Sequence, residues 1–398
     1  MNDMNAALYE AVEREIERKS YPESLPPLPD LPAARYVDAD FYALEMEHVF
    51  KKTWLFAAHE SELPNKGSYV LFEKFGQSII ISRGTDDNIR AFKNTCRHRG
   101  AALVTEQSGT AKRFICPYHS WGYDSDGSLR SVPEAHNFAC LDKAENPLFQ
   151  VRCESWRGFV FINFDDGAGT LADHMGPLDE HVGDFPLEQM VVKDRLVQEI
   201  DCNWKTAYDN FLEIYHVQSV HRETIAPFLN SKSFVVTPLA NGHGRFTTRK
   251  RIEGLYGKGE IEGLDERYKS LTVAFPSFPN GFVALDPSGF NWMNFWPSGK
   301  DRMIVVSTIM GRTKDNPEED REYWTEFSAY QKKILDEDVS LFTTVQRSMN
   351  EGDLTHLVLS CQEQYLQWYN EHIDRLIGRD NIPPHLRVDP VMSAALGE

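Results

Sequence analysis

The chain has 398 residues, 41% of them hydrophobic and 12% aromatic, a composition that supports two globular domains with their own cores. Its net charge of −18 excludes nucleic acid and anionic membranes as expected partners. No apolar run approaches the ~20 residues of a membrane span. The six cysteines form no disulfide framework, so we expect free thiols in a reducing cytoplasm.

Residues 1–33 are predicted to form an arm ahead of the main domains. The first 19 residues are charged and fit an amphipathic helix rather than a signal peptide. A proline-rich stretch at 21–29 follows, and we expect it to lie along a neighbouring surface.

The stretch from 34 to 165 has the pattern of a small β domain. Short apolar runs are separated by turn residues, including an Asp-Gly turn typical of a hairpin. The predicted strands are 67–83 in two runs broken at Gly76, 88–95, 113–115, a hairpin over 123–129, and 157–164. Small antiparallel sheets place ligands on their loop tips.

Two half-motifs on predicted loops each offer one thiolate and one imidazole. They are Cys96-x-His98 and Cys116-x-x-His119. Zinc accepts such a set as a closed tetrahedral site, and a Rieske [2Fe–2S] cluster takes two Cys on one iron and two His on the other. Zinc fingers group Cys with Cys and His with His. Because each half here pairs Cys with His, the spacing favours the Rieske cluster.

Side chains around these half-motifs are expected to tune the cluster and to meet an electron donor. Tyr118 and Trp121 are aromatic neighbours that would shield the sulfurs and set the potential. A basic patch could bind an acidic ferredoxin or reductase domain. An ordinary solvated surface would show the same charges. The patch comprises Lys93, Arg97, Arg99, Lys112 and Arg113.

A second constellation lies about a hundred residues further on, in a segment predicted to be helical. Residues 203–221 contain no Gly or Pro and include His216 and His221. Two His with one carboxylate make the facial triad of non-haem Fe(II) oxygenases, although a helix with two His commonly binds no metal. Residues five apart sit about 140° apart on an ideal helix. The helix must therefore distort or end between them, for instance at a π-bulge.

The remainder of the chain predicts strands followed by long helices. A boundary is expected at 165–170. The predicted strands are 193–200, 233–238, 245–252, 281–286, 290–297 and 302–311, and the predicted helices are 318–349 and 360–377. This order suits an antiparallel sheet wrapped on a helix, an α+β layout.

Together the two constellations resemble the oxygenase (α) subunits of the Rieske non-haem iron ring-hydroxylating oxygenases, over about residues 34–376. The first matches the family pattern C-x-H…C-x-x-H. The second matches N-x-x-[DE]-x-x-H-x4-H, here Asn210, Glu213, His216 and His221. The resemblance implies a third iron ligand at Asp338, eight residues before Gln346. Asp336 and Glu337 remain competitors for that role.

The resemblance implies an α+β fold in two parts. An N-terminal all-β Rieske domain at 34–165, with flanking elements of the catalytic domain, would precede a helix-grip catalytic domain at 166–398 with an antiparallel sheet and long helices. The first would hold a [2Fe–2S] cluster on Cys96, His98, Cys116 and His119. The second would hold mononuclear Fe(II) on His216, His221 and Asp338.

The implied activity is hydroxylation of an aromatic small molecule with O₂. Asn210 and Glu213 would be catalytic, with Glu213 bridging His216 and His119 of the partner subunit in a homotrimer, with or without a β subunit. No G-x-G-x-x-G follows a strand and no plant-type cluster motif is present, so a separate reductase or ferredoxin must deliver electrons.

Alternatives remain open at this stage. Glu213 stands where Asp is usual and resembles members that oxidise quaternary ammonium compounds such as carnitine. A monooxygenase or demethylase of an N-alkyl compound is therefore the second hypothesis, with Trp292 or Tyr215 holding the cation. A remote third is an electron-transfer or zinc-stabilised binding protein. Ser120 replaces a common Gly, and we expect little consequence.

Overall fold

The computed structural model describes residues 3–251, 261 and 263–397, with the side chains of 3–5 left out. The chain divides into two compact units. One is the continuous segment Phe50–His174. The other joins Met1–Val49 to Met175–Glu398. Ile252, the last residue of the strand predicted at 245–252, lies outside the described residues.

The strands of the described chain are listed in chain order: β1 (Leu31–Pro32), β2 (Leu55–His59), β3 (Ser68–Lys74), β4 (Gln77–Arg83), β5 (Ile89–Lys93), β6 (Ser108–Thr110), β7 (Arg113–Ile115), β8 (Gly122–Asp124), β9 (Leu129–Ser131), β10 (Gln150–Trp156), β11 (Phe159–Asn163), β12 (Val191–Ile200), β13 (Leu229–Pro238), β14 (Gly244–Lys250), β15 (Leu271–Ser277), β16 (Gly281–Leu285), β17 (Phe290–Pro297), β18 (Met303–Gly311) and β19 (His356–Leu357).

The helices are α1 (Asp3–Glu17), α2 (Ala39–Glu45), α3 (Leu171–Val182), α4 (Trp204–Asn210), α5 (Val217–Val220), α6 (Arg267–Ser270), α7 (Pro317–Glu351), α8 (Gln364–Ile377) and α9 (Val391–Leu396). A π-helical turn at Met46–Phe50 continues α2. None of these described helices combines the length and the apolar character needed to span a bilayer.

The unit Phe50–His174 is all β. Seven strands form one antiparallel sheet in the order β2-β11-β10-β5-β4-β3-β6, and β7-β8-β9 form a smaller one. The loops that follow β5 and β7 carry the two half-motifs. Their cysteines belong to a buried core cluster with Phe92, Trp121 and Tyr123. The small sheet is thereby fixed to the rest of the unit around the predicted cluster site.

The other unit is built on a seven-stranded antiparallel sheet in the order β12-β18-β17-β16-β15-β14-β13. The 35-residue helix α7 starts at an Asn316 cap with Pro317 at its first turn. The Trp324 ring of α7 fills the space over Gly311, where an added Cβ would meet it at 1.8 Å. Only glycine permits this approach of helix and sheet. The all-β unit and this sheet-and-helix unit confirm the predicted α+β class.

Residues 31–49 belong to the unit that contains Met175–Glu398, so the structure divides at 50 and 174, whereas the sequence predicted a first domain over 34–165 with flanking elements of the second. Buried charges explain the difference. Arg35 is fully buried and pairs with Asp374 of α8 at 2.7 Å. Glu45 of α2 pairs with Lys205 of α4 at 2.8 Å, and neither side chain is exposed. Buried charges require such partners, so the early segment is held against α4 and α8.

The Glu45–Lys205 pair predicts a large stability effect. Burial raises the pKa of Glu45 and lowers the pKa of Lys205, and the partner of each opposes the shift. Lys205→Met leaves a buried carboxylate unpaired, so we expect the free energy of unfolding to fall by about 3–5 kcal/mol in denaturant titration. Lys332→Met, which breaks an exposed pair with Asp336, is the control and should change it by less than about 0.5 kcal/mol. An unchanged midpoint for Lys205→Met would contradict the prediction.

Candidate active site

The two half-motif loops share one backbone pattern. The amide of Gly100 donates to Cys96 O, and the amide of Ser120 donates to Cys116 O, both at 2.9 Å. Gly100 has φ +78° and Ser120 has φ +56°, the left-handed region that favours glycine. Ser120, expected to matter little, thus occupies a conformation that costs a non-glycine residue about 1–2 kcal/mol.

This loop pair brings the four predicted cluster ligands together. His98 Nδ1 and His119 Nδ1 lie 3.1 Å apart. Cys96 and Cys116 are buried beside one another, and burial raises the pKa of Cys96, with Cys116 adding to it. Burial and the neighbouring His119 lower the pKa of His98, which favours the neutral, metal-binding imidazole. Buried sulfurs on one side and paired imidazole nitrogens on the other fit a [2Fe–2S] cluster with Cys on one iron and His on the other.

The two predicted aromatic neighbours of the half-motifs, Trp121 and Tyr118, stack on the imidazoles. Trp121 stacks on His98 with centroids 4.9 Å apart and 8° between planes, and Tyr118 stacks on His119 at 3.8 Å. Tyr118 is exposed, so it also forms part of the outer surface. The sulfur partner is Tyr123, which the sequence did not single out. Its hydroxyl lies 3.3 Å from Cys96 Sγ.

Tyr123 gives a prediction about the cluster potential. A hydrogen bond to a ligand sulfur stabilises the more negative, reduced cluster and so raises its potential. Tyr123→Phe should lower the midpoint potential by roughly 40 mV, the equivalent of about 1 kcal/mol for a one-electron couple. A redox titration monitored through the absorption spectrum of the cluster measures this midpoint potential. Tyr69→Phe is the control, because its ring packs on Phe114 in the same core. Equal potentials for Tyr123→Phe and the unmodified protein would contradict the prediction.

The predicted basic patch is only partly free. Arg113 pairs with Asp124 at 2.5 Å. The guanidinium of Arg97 lies over Phe149, and that of Arg99 lies over Tyr118. Lys93 and Lys112 are exposed. The patch as a docking surface remains a prediction.

The second constellation does not form one helix. α4 ends at Asn210, a turn follows, and the one-turn helix α5 lies between His216 and His221. The helix therefore ends before both His, and the structure has a turn where the sequence suggested a π-bulge. Glu213 explains the break, because its Oε2 accepts the amides of Tyr215 and His216. Such side-chain bonds compete with helical ones.

The break lets both imidazoles face one carboxylate. The ligand atoms of His216, His221 and Asp338 lie within 4.8 Å of one another. His221 Nε2 is 2.9 Å and His216 Nε2 is 3.7 Å from Asp338 Oδ1. Both oxygens of Asp338 are buried, and the nearest polar groups to Oδ1 are these two imidazole nitrogens, which a cation bound between the three side chains would hold together. Two His and one carboxylate, the ligand group found in the described part of the chain, fit mononuclear Fe(II).

The two competitors of Asp338 have other roles. Asp336 points to solvent and pairs with Lys332 at 2.6 Å. Glu337 Oε2 lies 2.7 Å from His221 Nδ1 and also accepts the Thr224 hydroxyl. Gln346 is buried and accepts the amide of Asn203, which ties α7 to the start of α4.

Each imidazole is thus held at Nδ1 by a carboxylate. Glu213 Oε1 bonds His216 Nδ1, as Glu337 does for His221. Burial alone would lower the pKa of His221, but Asp338 and Glu337 outweigh it and raise that pKa. Such carboxylates fix the tautomer that leaves Nε2 for a metal. The bridge from Glu213 to His119 of the partner subunit remains a prediction.

A cavity of about 170 Å³ opens beside these residues. Asn210, Glu213, His216, His221 and Asp338 line one part of it, and Asn210 Nδ2 is buried without a hydrogen-bond partner among the described residues. Most of the remaining wall is apolar and includes Phe211, Phe234, Phe246, Phe282, Phe290, Met293, Ile334 and Leu335. Trp292 and Tyr215, suggested as cation holders, do not line it: Trp292 is buried elsewhere and Tyr215 is 71% exposed.

Two family models match the segments that contain these residues. Residues 53–145 match the Rieske [2Fe-2S] domain, and residues 187–379 match the catalytic domain of the ring hydroxylating alpha subunit. The chain is 39% identical over 194 residues to the carnitine monooxygenase oxygenase subunit of Escherichia coli K12, covering 48% of this chain and 52% of that protein. It is 37% identical over 218 residues to the large oxygenase component of naphthalene 1,2-dioxygenase from Ralstonia sp, covering 51% and 46%.

Solved structures share the fold. A quaternary ammonium Rieske monooxygenase gives a TM-score of 0.79 at 23% identity, covering 90% of this chain and 99% of that one. The naphthalene 1,2-dioxygenase of Rhodococcus sp., bound to indole, gives 0.74 at 22% identity, covering 95% and 98%. The matched segments span about half the length of the curated relatives.

The fold and its two sites define a Rieske-type protein. The chain belongs to the family of ring-hydroxylating oxygenase α subunits, and its cofactors are a Rieske [2Fe–2S] cluster and mononuclear non-haem iron.

Proposed function

We propose that this chain is the oxygenase component of a multi-component Rieske oxygenase that hydroxylates a largely apolar aromatic molecule with O₂. When bound, the cluster supplies an electron and Fe(II) with open positions supplies O₂ chemistry. The proposed cluster ligands are Cys96, His98, Cys116 and His119. The proposed iron ligands are His216, His221 and Asp338. Electrons come from a separate reductase or ferredoxin, in the cytoplasm.

The residues that line the cavity favour an aromatic substrate. Among the described residues no Lys or Arg lines the cavity, and most of its wall is aromatic or aliphatic. A carboxylate such as that of carnitine would be buried there without a cationic partner, which is unfavourable. An aromatic ring instead gains by removing apolar surface from water. The chain's own groups then act by position: the wall holds the ring beside Asn210, and Glu213 orients His216.

The alternative is oxidation of a quaternary ammonium compound, because the carnitine monooxygenase subunit is among the relatives and Glu213 suggested it. The test incubates iron-loaded protein, a reductase and NADH with either naphthalene or carnitine. Isotopically labelled O₂ shows whether oxygen enters the product. Labelled naphthalene product supports the proposal. Trimethylamine release from carnitine, with naphthalene untouched, supports the alternative. Zinc at both sites without O₂ consumption would contradict both.

A homotrimer, with or without a β subunit, is part of this proposal. The family resemblance implies that the cluster of one subunit serves the iron of the next, and such a head-to-tail contact must close into a ring. Light scattering should therefore give about three times the 45.6 kDa chain mass. A fully active monomer would contradict the prediction.

A further inference from the structure

The cavity has a polar row on its sheet wall. Thr248 of β14 pairs with Thr272 of β15, and the pair Val273–Leu285 brings Asp286, the residue that follows β16, level with Thr272. All three residues of the row line the cavity. The next row along the same strands is apolar, with Phe246, Ala274 and Ala284. The wall therefore changes from apolar to polar along the strands.

The row lies at the end of the cavity away from the iron ligands. The Phe211 ring, next to Asn210, packs on Phe282 at 5.7 Å. From Phe282 to Asp286, β16 and its continuation advance about 13 Å. On the opposite wall, Gln331 of α7 precedes Asp338 by seven residues, or about 10 Å along the helix.

Contacts of α7 also place the polar row away from the iron ligands. Toward its N-terminus, the Tyr323 hydroxyl donates to Ser288 O at 2.8 Å, and Ser288 bonds Asp286. Helix and sheet thus agree that the iron ligands and the polar row occupy opposite ends.

Three polar groups at this end have no partner among the described residues. Thr272 Oγ1 is buried without a hydrogen bond. Thr248 is 4% and Gln331 8% exposed, and neither side chain bonds another described group. Such buried groups cost free energy until a partner is supplied. Asp286 differs, because Lys250 at 2.9 Å and the Ser288 amide already satisfy it.

We infer that the substrate carries an uncharged hydrogen-bonding group, such as a hydroxyl or amide, at the end remote from the oxidised carbon. Thr272, Thr248 and Gln331 receive this group and fix which end of the molecule meets the iron. An anionic group would face Asp286, and a cation would find that carboxylate already paired with Lys250. The inference rests on the proposed function, since it places an oxidised carbon at the iron end.

The test compares naphthalene with 2-naphthol by equilibrium dialysis against the metal-loaded protein. One or two net hydrogen bonds predict that 2-naphthol binds about 5–10-fold more tightly. Thr272→Val keeps the shape and removes the hydroxyl, so it should weaken 2-naphthol about 3–10-fold and leave naphthalene within about twofold. Thr247→Val is the matched control on the opposite face of β14, and it should change neither.

Several outcomes would overturn the inference. One is equal binding of naphthalene and 2-naphthol. Another is an unchanged ratio of their dissociation constants in both Thr272→Val and Gln331→Leu. A third is tighter binding of 2-naphthoate or of a naphthyl trimethylammonium ion than of 2-naphthol. Oxygenation is measured separately. If the binding preference holds but neither compound is oxygenated, the proposed function fails and the polar-end recognition stands. If both are oxygenated without preference, the recognition fails and the oxygenase function stands.

Discussion

Asp338→Ala is expected to remove the mononuclear iron and abolish oxygenation while leaving the cluster in place. The unmodified chain should hold about three irons, two in the cluster and one at the triad. The variant should hold about two, because two His alone are a poor Fe(II) site. Its turnover should fall below detection. Metal analysis with acid-labile sulfide measures both centres, and the retained sulfide shows that the cluster unit is folded.

Neighbouring variants separate the three acidic residues of α7. Asp336→Ala removes only an exposed pair with Lys332 and should keep iron and activity. Glu337→Gln weakens the hold on His221 Nδ1 and should reduce iron affinity on the order of 10–100-fold. Asp338→Asn, which preserves volume, should lose iron as the alanine variant does. Full iron in both Asp338 variants would assign the third ligand elsewhere.

Much of the fold was predictable from the period of the hydrophobic pattern and from the turn residues. The strands that were missed have physical reasons. The apolar runs of β3, β4, β11 and β16–β18 stood out because both faces of their strands are largely buried. β15 was missed because Pro276 interrupts it, although the strand lies inside the sheet and pairs Pro276 with Phe282. β10 was missed because four of its residues, Gln150, Arg152, Glu154 and Ser155, are polar or charged and only Val151 is buried. The local hydrophobic pattern does not show that such a segment pairs with neighbouring strands.

The candidate site was predictable where ligand chemistry restricts residue type and spacing. The Cys and His of the half-motifs and the two His after α4 belong to this class. The groups that orient them were not predictable, because contacts between distant segments determine them. Tyr123 of β8 reaches Cys96 across 27 residues, and Glu337 reaches His221 across 116 residues. The polar row likewise depends on strand register, which one sequence does not specify.

Glu213→Gln is expected to keep both metal centres and lose most turnover, on the order of 10–100-fold. The carboxylate holds His216 Nδ1 and accepts the amides of Tyr215 and His216, so it sets both the ring orientation and the turn. As an amide it offers one acceptor oxygen and a donor nitrogen in place of two acceptors. It also loses the negative charge that would stabilise a charged imidazole on either side of the predicted bridge.

The measurement that isolates this role is a single turnover of reduced protein with substrate and O₂. Glu213→Gln should be reduced by its partner at the normal rate, because the cluster is untouched, while reoxidation of the cluster should slow with turnover. Glu213→Asp keeps the charge on a shorter side chain and should be milder. Glu223→Gln, at an exposed position between α5 and β13, is the control and should behave normally. Normal reoxidation in Glu213→Gln at full iron content would refute the role, since the carboxylate would then matter only to the turn.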